Sequence, residues 1–248
     1  MQPESLRKKS AIDAVAALHP DLIVVMAYGQ ILTERFLAIP TMACINLHAS
    51  LLPRFRGAAC IQAAIDAGDA ESGITVMHMV RALDAGDIVL QKSMPLPEDI
   101  TGGVLHDQLA ELAPAALAEV IQQFASGKAK RTPQLEEESN YVGKLLREDG
   151  QIDWSLPATV IERRIRAYDP WPGTYTQIDG GVRLKVFPPV QIVALQQLGI
   201  GEVQINTDGL LVGCGTHAIQ LADVQADGGK RMPASVFARG LRGEIRFC

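Results

Sequence analysis

Two strand-like segments constrain this chain more than any other feature: the continuous apolar run 21–29 (DLIVVMAYG) and residues 43–50 (ACINLHAS). Both fall far short of the roughly 18 residues a membrane span requires. The first carries Ile23, Val24 and Val25, and each segment fits a strand covered on its two faces. Such strands need helices to cover them, and the sequence supplies candidates. Residues 11–18 (AIDAVAAL) read as the end of an amphipathic helix, and residues 58–69 (AACIQAAIDAGD) as an Ala-rich helix stopped at Gly68. Residues 74–80 (ITVMHMV) and 87–96 (DIVLQKSMPL) read as further strands. From Thr101 a longer helix is expected, with Val104, Leu105, Leu109, Leu112, Val120, Ile121 and Phe124 on roughly one face and Pro114 kinking or dividing it. Strands alternating with helices predict an α/β, Rossmann-like layer with a mainly parallel sheet. A doubly wound sheet normally begins with a central strand, whereas this chain begins with a helix. Either the sheet is small, or it is incomplete and lacks its first units.

The texture then changes. Residues 126–150 are polar and carry charge runs of both signs, the composition of a linker. Residues 155–169 (SLPATVIERRIRAYD) suggest one helix, with Ser155 as N-cap and Pro157 in its first turn. The short segments GTYTQI, VRLKVF, VQIVAL, GEVQI, GLLVGC and AIQLADV follow, separated by turn-forming residues, and predict a small barrel or sandwich. The expected organisation is a first domain over 1–127, a linker over 128–147 and a second domain over 148–248.

Charge argues against a nucleic-acid partner. The net charge is −5; residues 151–248 carry 10 Lys+Arg against 9 Asp+Glu, and residues 1–150 carry 13 against 19. Neither part is a basic domain. Cys44, Cys60, Cys214 and Cys248 stand apart, with no C-x-x-C pair and no zinc-like His spacing, and are expected to be small buried hydrophobes. The first ten residues, MQPESLRKKS, lack the apolar stretch of a signal peptide, which predicts a cytoplasmic protein without a membrane segment.

The chemistry-bearing residues concentrate in 45–57 (INLHASLLPRFRG). Asn46 and His48 are two apart in an expected strand, so they share a face, and they lie at its C-terminal end, where α/β sheets place their ligands. A carboxamide beside an imidazole can donate two hydrogen bonds to one oxygen, an oxyanion-stabilising arrangement. Equally, Asn46 could tie a turn and His48 be a satisfied core histidine. Ser50, Leu51, Leu52 and Pro53 form a loop whose leucines could line a pocket or plug the core. Arg54 and Arg56 could meet an anion or form a solvated surface. Asp84 and Asp87 flank a Gly turn, and are turn residues unless one reaches His48 and orients its ring.

The stretch INLHASLLPRFRGAACIQAAIDAGD, followed by ITVMHMVRALDAGDIV, resembles the formyltransferase family that uses 10-formyltetrahydrofolate. The family signature is Asn-x-His, then Ser-Leu-Leu-Pro, then an Asp in a Leu-Asp-x-Gly-Asp turn. All three elements occur here in that order, with Asn46 and Asp84 separated by 38 positions. GAACIQ, IDWSLPATVIERRIRAYDPWPG (152–173) and GGKRMPASVFARG (228–240) are similar to the family members that formylate methionyl-initiator tRNA, with Cys60 where those members have Pro. The family's second domain is an OB-like β-barrel, in line with the short strands. MQPESLRKK resembles interior family sequence, which implies that roughly 60 N-terminal residues are missing, the first strand–helix units together with a basic loop that meets the tRNA acceptor end.

The resemblance implies an enzyme that moves a formyl group from 10-formyltetrahydrofolate, as co-substrate, to the α-amine of methionyl-initiator tRNA, without a metal, as a monomer in bacterial-type or organellar translation. It implies that Asn46 and His48 hold the oxyanion, that Asp84 orients His48 and aids proton removal, and that Ser50, Leu51, Leu52 and Pro53 contact the folate. For RNA, Arg163, Arg164 and Arg166 with Trp171 are the candidates. The alternatives are an amino-sugar N-formyltransferase of the same family, or a truncated, inactive remnant that binds folate or tRNA.

Overall fold

In the computed structural model, which describes residues 5–178, 181–194 and 198–248, the run at 43–50 becomes an inner strand of a four-stranded sheet. The chain forms two units. One gathers the residues up to Cys60 with Glu71–Pro95 and Asp107–Lys144, and the other gathers Ile61–Ala70, Leu96–His106 and Leu145–Cys248. In chain order the first elements are α1 (Lys9–Ala16), β1 (Leu22–Met26), α2 (Glu34–Leu37), β2 (Ala43–His48), β3 (Arg56–Gly57), α3 (Cys60–Ala67), β4 (Glu71–His78), β5 (Ile88–Pro95), α4 (Gly102–Ala125) and β6 (Tyr141–Val142).

The sheet of the first unit runs β1-β2-β4-β5. β1 and β2 are parallel, but β2–β4 and β4–β5 are antiparallel, which corrects the expected mainly parallel sheet. The excursion between β2 and β4 returns the chain to the end of the sheet it left, pairing His48 with Thr75. β2 is buried along its length except at Asn46, which is half-buried. β1 is not covered on both faces as its apolar run suggests, because it is an edge strand. Its Ile23 and Val25 pack on Ile12, Leu32 and Phe36, while Val24 and Met26 are exposed. Thr33 caps α2, its hydroxyl accepting from the Phe36 amide at 3.3 Å. In α4, Leu105, Leu109, Ala113, Ala116 and Val120 are buried at helical spacing, and Val104 and Ile121 lie outside that stripe. Pro114 does not divide the helix. It removes one N–H bond to Ala110, and both residues lie on the exposed side, where water can take the freed carbonyl.

The second unit contains α5 (Ala158–Ala167), β7 (Thr174–Ile178), β8 (Val182–Val193), β9 (Glu202–Asn206), β10 (Gly209–Gly213), β11 (Ala218–Ala226), β12 (Met232–Pro233), α6 (Ala234–Ala238) and β13 (Ile245–Arg246). The strands run β13-β9-β10-β11-β8-β7, and reciprocal backbone bonds between Gln177 and Cys248 bring the ends together as a nearly closed β-barrel. Leu184, Val186, Leu210, Val212, Ile219 and Leu221 form its core with Ile161 and Ile165 of α5. Full burial of each such side chain contributes about 1.5–3 kcal/mol. VRLKVF and residues 190–193 of VQIVAL form one strand through Pro188 and Pro189, because a register shift opposite, between Leu221 and Asp223, absorbs the lost ladder bonds. Leu195, the last residue of VQIVAL, lies outside the described residues. Ser155 is not the N-cap of α5: Pro157 holds that position, the Ala158 amide donates to the Thr216 carbonyl, and Ser155 donates instead to Asp153.

Candidate active site

Asn46 and His48 project from the last turn of the β2 pleat, opposite Met77 and Thr75 of β4. Asn46 is half-buried and His48 is 7% exposed. The chain then turns through 49–55 and returns as β3. Two side chains of the neighbouring strands hold this turn. The Thr75 hydroxyl, fully buried, donates to the Ser50 carbonyl at 2.7 Å and accepts from the Leu52 amide at 3.0 Å. Gln91 of β5 donates to the same hydroxyl at 3.0 Å and to the Leu52 carbonyl at 2.8 Å. Ser50 is turned inward, its hydroxyl donating to the Arg54 carbonyl at 2.8 Å. Leu52 is buried, whereas Leu51 and Pro53 are partly exposed and form the apolar surface of the loop.

His48 is held between two oxygens. Its Nε2 lies 2.9 Å from the Phe55 carbonyl, which can only accept, so Nε2 carries the proton. Its Nδ1 lies 3.7 Å from Asp84 Oδ2. That same oxygen accepts the Gly57 amide at 2.8 Å. Burial disfavours a charged ring, but the Cys60 sulfur, the Asp84 carboxylate and the Phe55 carbonyl outweigh it and raise His48 to about 9. These surroundings favour the protonated form of the ring, whose Nδ1 faces the Asp84 carboxylate.

The 81–87 turn resolves which aspartate faces the histidine. Asp84, with φ 50, points to His48, while Asp87 accepts from Arg131 at 2.9 Å. Gly86 lets this turn lie against β4, since a Cβ there would sit 1.8 Å from the His78 carbonyl oxygen. The two loop arginines also separate. Arg54 is exposed, its guanidinium 4.6 Å from the Phe55 ring centroid. Arg56 is only 1% exposed and bound to Gln134, Glu136 and Tyr141, so it is neither a solvated surface group nor open to an anion.

The arginines of α5 are engaged within their own unit. Arg166 is buried against Glu162 and the Ile100 carbonyl, Arg164 pairs with Asp66, and Arg163 donates to the Ala67 carbonyl. Trp171 is exposed, with the Arg147 guanidinium 5.9 Å from its ring centroid. Among the described residues, no group of three His, Cys, Asp or Glu is placed to hold a metal ion, and no helix is long and apolar enough to cross a membrane. Cys44, Cys60 and Cys214 are buried thiols and Cys248 is exposed.

The site depends on Thr75, Gln91, Gln134, which donates to the Asp84 carbonyl, and Asn140, which accepts from the Phe55 amide; no sequence motif marks any of the four. Thr75 alone left a signal: a hydroxyl inside an apolar buried run must find a partner.

A family described as formyl transferase matches residues 1–121, and one described as formyl transferase, C-terminal domain, matches residues 144–242. The chain is 50% identical over 245 residues to a protein of Akkermansia muciniphila named methionyl-tRNA formyltransferase, covering 97% of this chain and 78% of that one. HypX from Aquifex aeolicus, solved in complex with tetrahydrofolic acid, has a similar fold at TM-score 0.65 and 19% identity, over 91% of this chain and 40% of that one. WlaRD, a sugar 3N-formyl transferase solved in the presence of dTDP and 5-N-formyl-THF, follows at TM-score 0.61 and 20% identity, over 84% of this chain and 76% of that one.

Proposed function

The chain belongs to the formyl transferase family and is an enzyme of that activity, and from that premise we propose that it transfers a formyl group from 10-formyltetrahydrofolate to the α-amine of methionyl-initiator tRNA. The observation that carries the reading is the His48–Asp84 pair at the end of β2, with Asn46 two positions earlier on the strand and the anchored 50–53 loop following it. The tRNA substrate is supported by the 50% identity to a methionyl-tRNA formyltransferase.

In this reading the α-amine attacks the formyl carbon, and the electron pair of its carbonyl moves onto oxygen. Asn46 donates to that oxygen through its carboxamide. His48 offers its Nε2 proton, which in the resting site lies on the Phe55 carbonyl and shifts to the stronger acceptor as negative charge develops. One such donor contributes about 3–4 kcal/mol to the transition state. Asp84 holds the ring and its charge, and takes up the proton lost by the amine, directly or through a water. Collapse returns the pair to the carbonyl and breaks the bond to the folate nitrogen, which leaves with the proton that Asp84 took from the amine, so the carboxylate is restored. The partly exposed Leu51 and Pro53 fit the apolar body of a folate, while Ser50 and Leu52 contribute by fixing the shape of the loop. We place the catalytic domain at 1–127, the linker at 128–147 and the tRNA-facing barrel at 148–248, and the enzyme in the cytoplasm.

Parallel assays with methionyl-initiator tRNA and with an amino-sugar nucleotide test the substrate. Formylation of the tRNA with none of the sugar is expected, and the reverse pattern would overturn the reading.

A further inference from the structure

The segment 134–142 is a polar connector by composition, yet it is laid along both arms of the candidate site. The Gln134 side chain bridges them: its Nε2 donates to the carbonyls of Asp84 and Gly86, both at 2.8 Å, and its Oε1 accepts from Arg56 Nε at 3.1 Å and Nη2 at 3.0 Å. Arg56 cannot drift, since its Nη1 is also held by Glu136 at 2.8 Å and by the Tyr141 hydroxyl at 2.8 Å. Asn140 holds the other arm. Its Oδ1 accepts from the Phe55 amide at 2.5 Å, and its carbonyl accepts from the Arg56 amide at 3.0 Å. β6 then pairs in parallel with β3, so closely that a Cβ on Gly57, at φ +102, would lie 2.3 Å from the Val142 carbonyl oxygen.

What these contacts immobilise is specific. The Phe55 carbonyl accepts from His48 Nε2, and the Asp84 carboxylate faces Nδ1. Phe55 and Asp84 both take positive φ, 57 and 50. A bulky residue such as Phe keeps that backbone only when its surroundings over-determine it. Here the surroundings are Asn140 for Phe55 and Gln134 for the Asp84 turn. Both oxygens on which the His48 ring rests are thus set by one strap reaching across 50 or more positions of sequence.

We propose that Gln134 and Asn140 are positioning residues, holding Asp84 and the Phe55 carbonyl on opposite sides of the His48 ring so that its protons stay aimed. The proposal rests on reading His48 and Asp84 as reaction-centre groups. Its test combines formyl-transfer kinetics with NMR titration of the His48 ring in the full chain and in Gln134→Leu, Asn140→Leu and Asn140→Asp. Sub-ångström displacement of a reacting group is expected to cost about tenfold in kcat, against roughly 100-fold for ~1 Å. The KM for folate should stay within about twofold, because binding contacts are untouched. The His48 titration should move in both leucine variants, and Asn140→Asp, which keeps the acceptor for the Phe55 amide, should recover kcat and titration. Folded leucine variants with unmoved titration and full kcat would overturn the proposal, as would an Asn140→Asp no better than Asn140→Leu. If the leucine variants do not fold, Gln134→Glu keeps the acceptor for Arg56 and removes the donor to the Asp84 turn. An unmoved His48 titration there also overturns the proposal. A wild-type chain that transfers no formyl group would sink the functional reading alone, leaving the titration to decide the positioning claim.

Discussion

Replacing Thr75 by Val should destabilise the first unit by more than the loss of a hydroxyl suggests. The side chain keeps its volume, so no cavity opens, and the residue is fully buried. What is lost is a hub. The Leu52 amide loses its acceptor and the Ser50 carbonyl its donor, while Gln91 retains only its bond to the Leu52 carbonyl. Each stranded buried group costs about 1–3 kcal/mol, so the two together cost roughly 2–6 kcal/mol. Thr75→Ser keeps the hub and removes one methyl, a loss of about 0.8 kcal/mol. Urea unfolding followed by far-UV circular dichroism is the appropriate assay, because both tryptophans, Trp154 and Trp171, belong to the second unit. With a slope of ~2 kcal/mol/M, Thr75→Val should lower the midpoint by about 1–3 M and Thr75→Ser by about 0.4 M. In a folded sample the valine variant should also raise the KM for folate, since the anchor of the 50–53 loop is gone. Valine as mild as serine would refute the reasoning, showing that methyl packing and not the hydroxyl holds the loop.

Gly57→Ala combines a positive φ with a contact too short for any Cβ, and should destabilise by more than ~1 kcal/mol in the same urea assay; a neutral effect would contradict the close approach of β3 and β6. His78 is held below its ordinary value by burial and then by Arg131, so its neutral form is favoured in the fold. Protons therefore bind the unfolded chain first, and stability should fall as pH drops below about 6.5. His48 is raised to about 9, so its contribution is present below 6.5 and lost as pH rises through 9. Unfolding free energies of His78→Gln and His48→Gln across pH 5–10 should each lack the corresponding slope, and wild-type slopes in both would refute the two assignments. Arg166→Met strands the Glu162 carboxylate and the Ile100 carbonyl, and should cost the second unit about 3 kcal/mol by tryptophan fluorescence, much of it recovered by adding Glu162→Leu. A double variant no better than the single would argue against the ion pair.

Much of this architecture is written in local sequence because local sequence causes it. The runs at 43–50, 74–80 and 87–96 became strands, and the turn-rich second half became a nearly closed barrel. Periodicity does not encode strand direction, which depends on where the chain re-enters the sheet, and so two of three pairings in the first sheet came out antiparallel. Nor does an apolar run say whether a strand is central or at an edge, as β1 demonstrates. At the site, the proximity of Asn46 and His48 follows from the period of a strand. The approach of Asp84 to His48 does not, since it depends on how Gly86 seats a turn against β4. Arg56 is the sharpest example. In sequence it is a loop arginine, but partners 78 or more positions away bury it. Gln134 and Asn140 sit in polar sequence that offers no periodicity from which their contacts could be read.

The most direct test of the account is transfer of labelled formyl from 10-formyltetrahydrofolate to methionyl-initiator tRNA by this chain, beside its Asn46→Ala, His48→Ala and Asp84→Asn variants. The account predicts transfer by the parent chain and a loss of about 100- to 1,000-fold in kcat when a donor is removed, with Asp84→Asn affecting rate far more than folate binding. Transfer that survives all three substitutions, or a well-folded parent chain that transfers no formyl group, would contradict it.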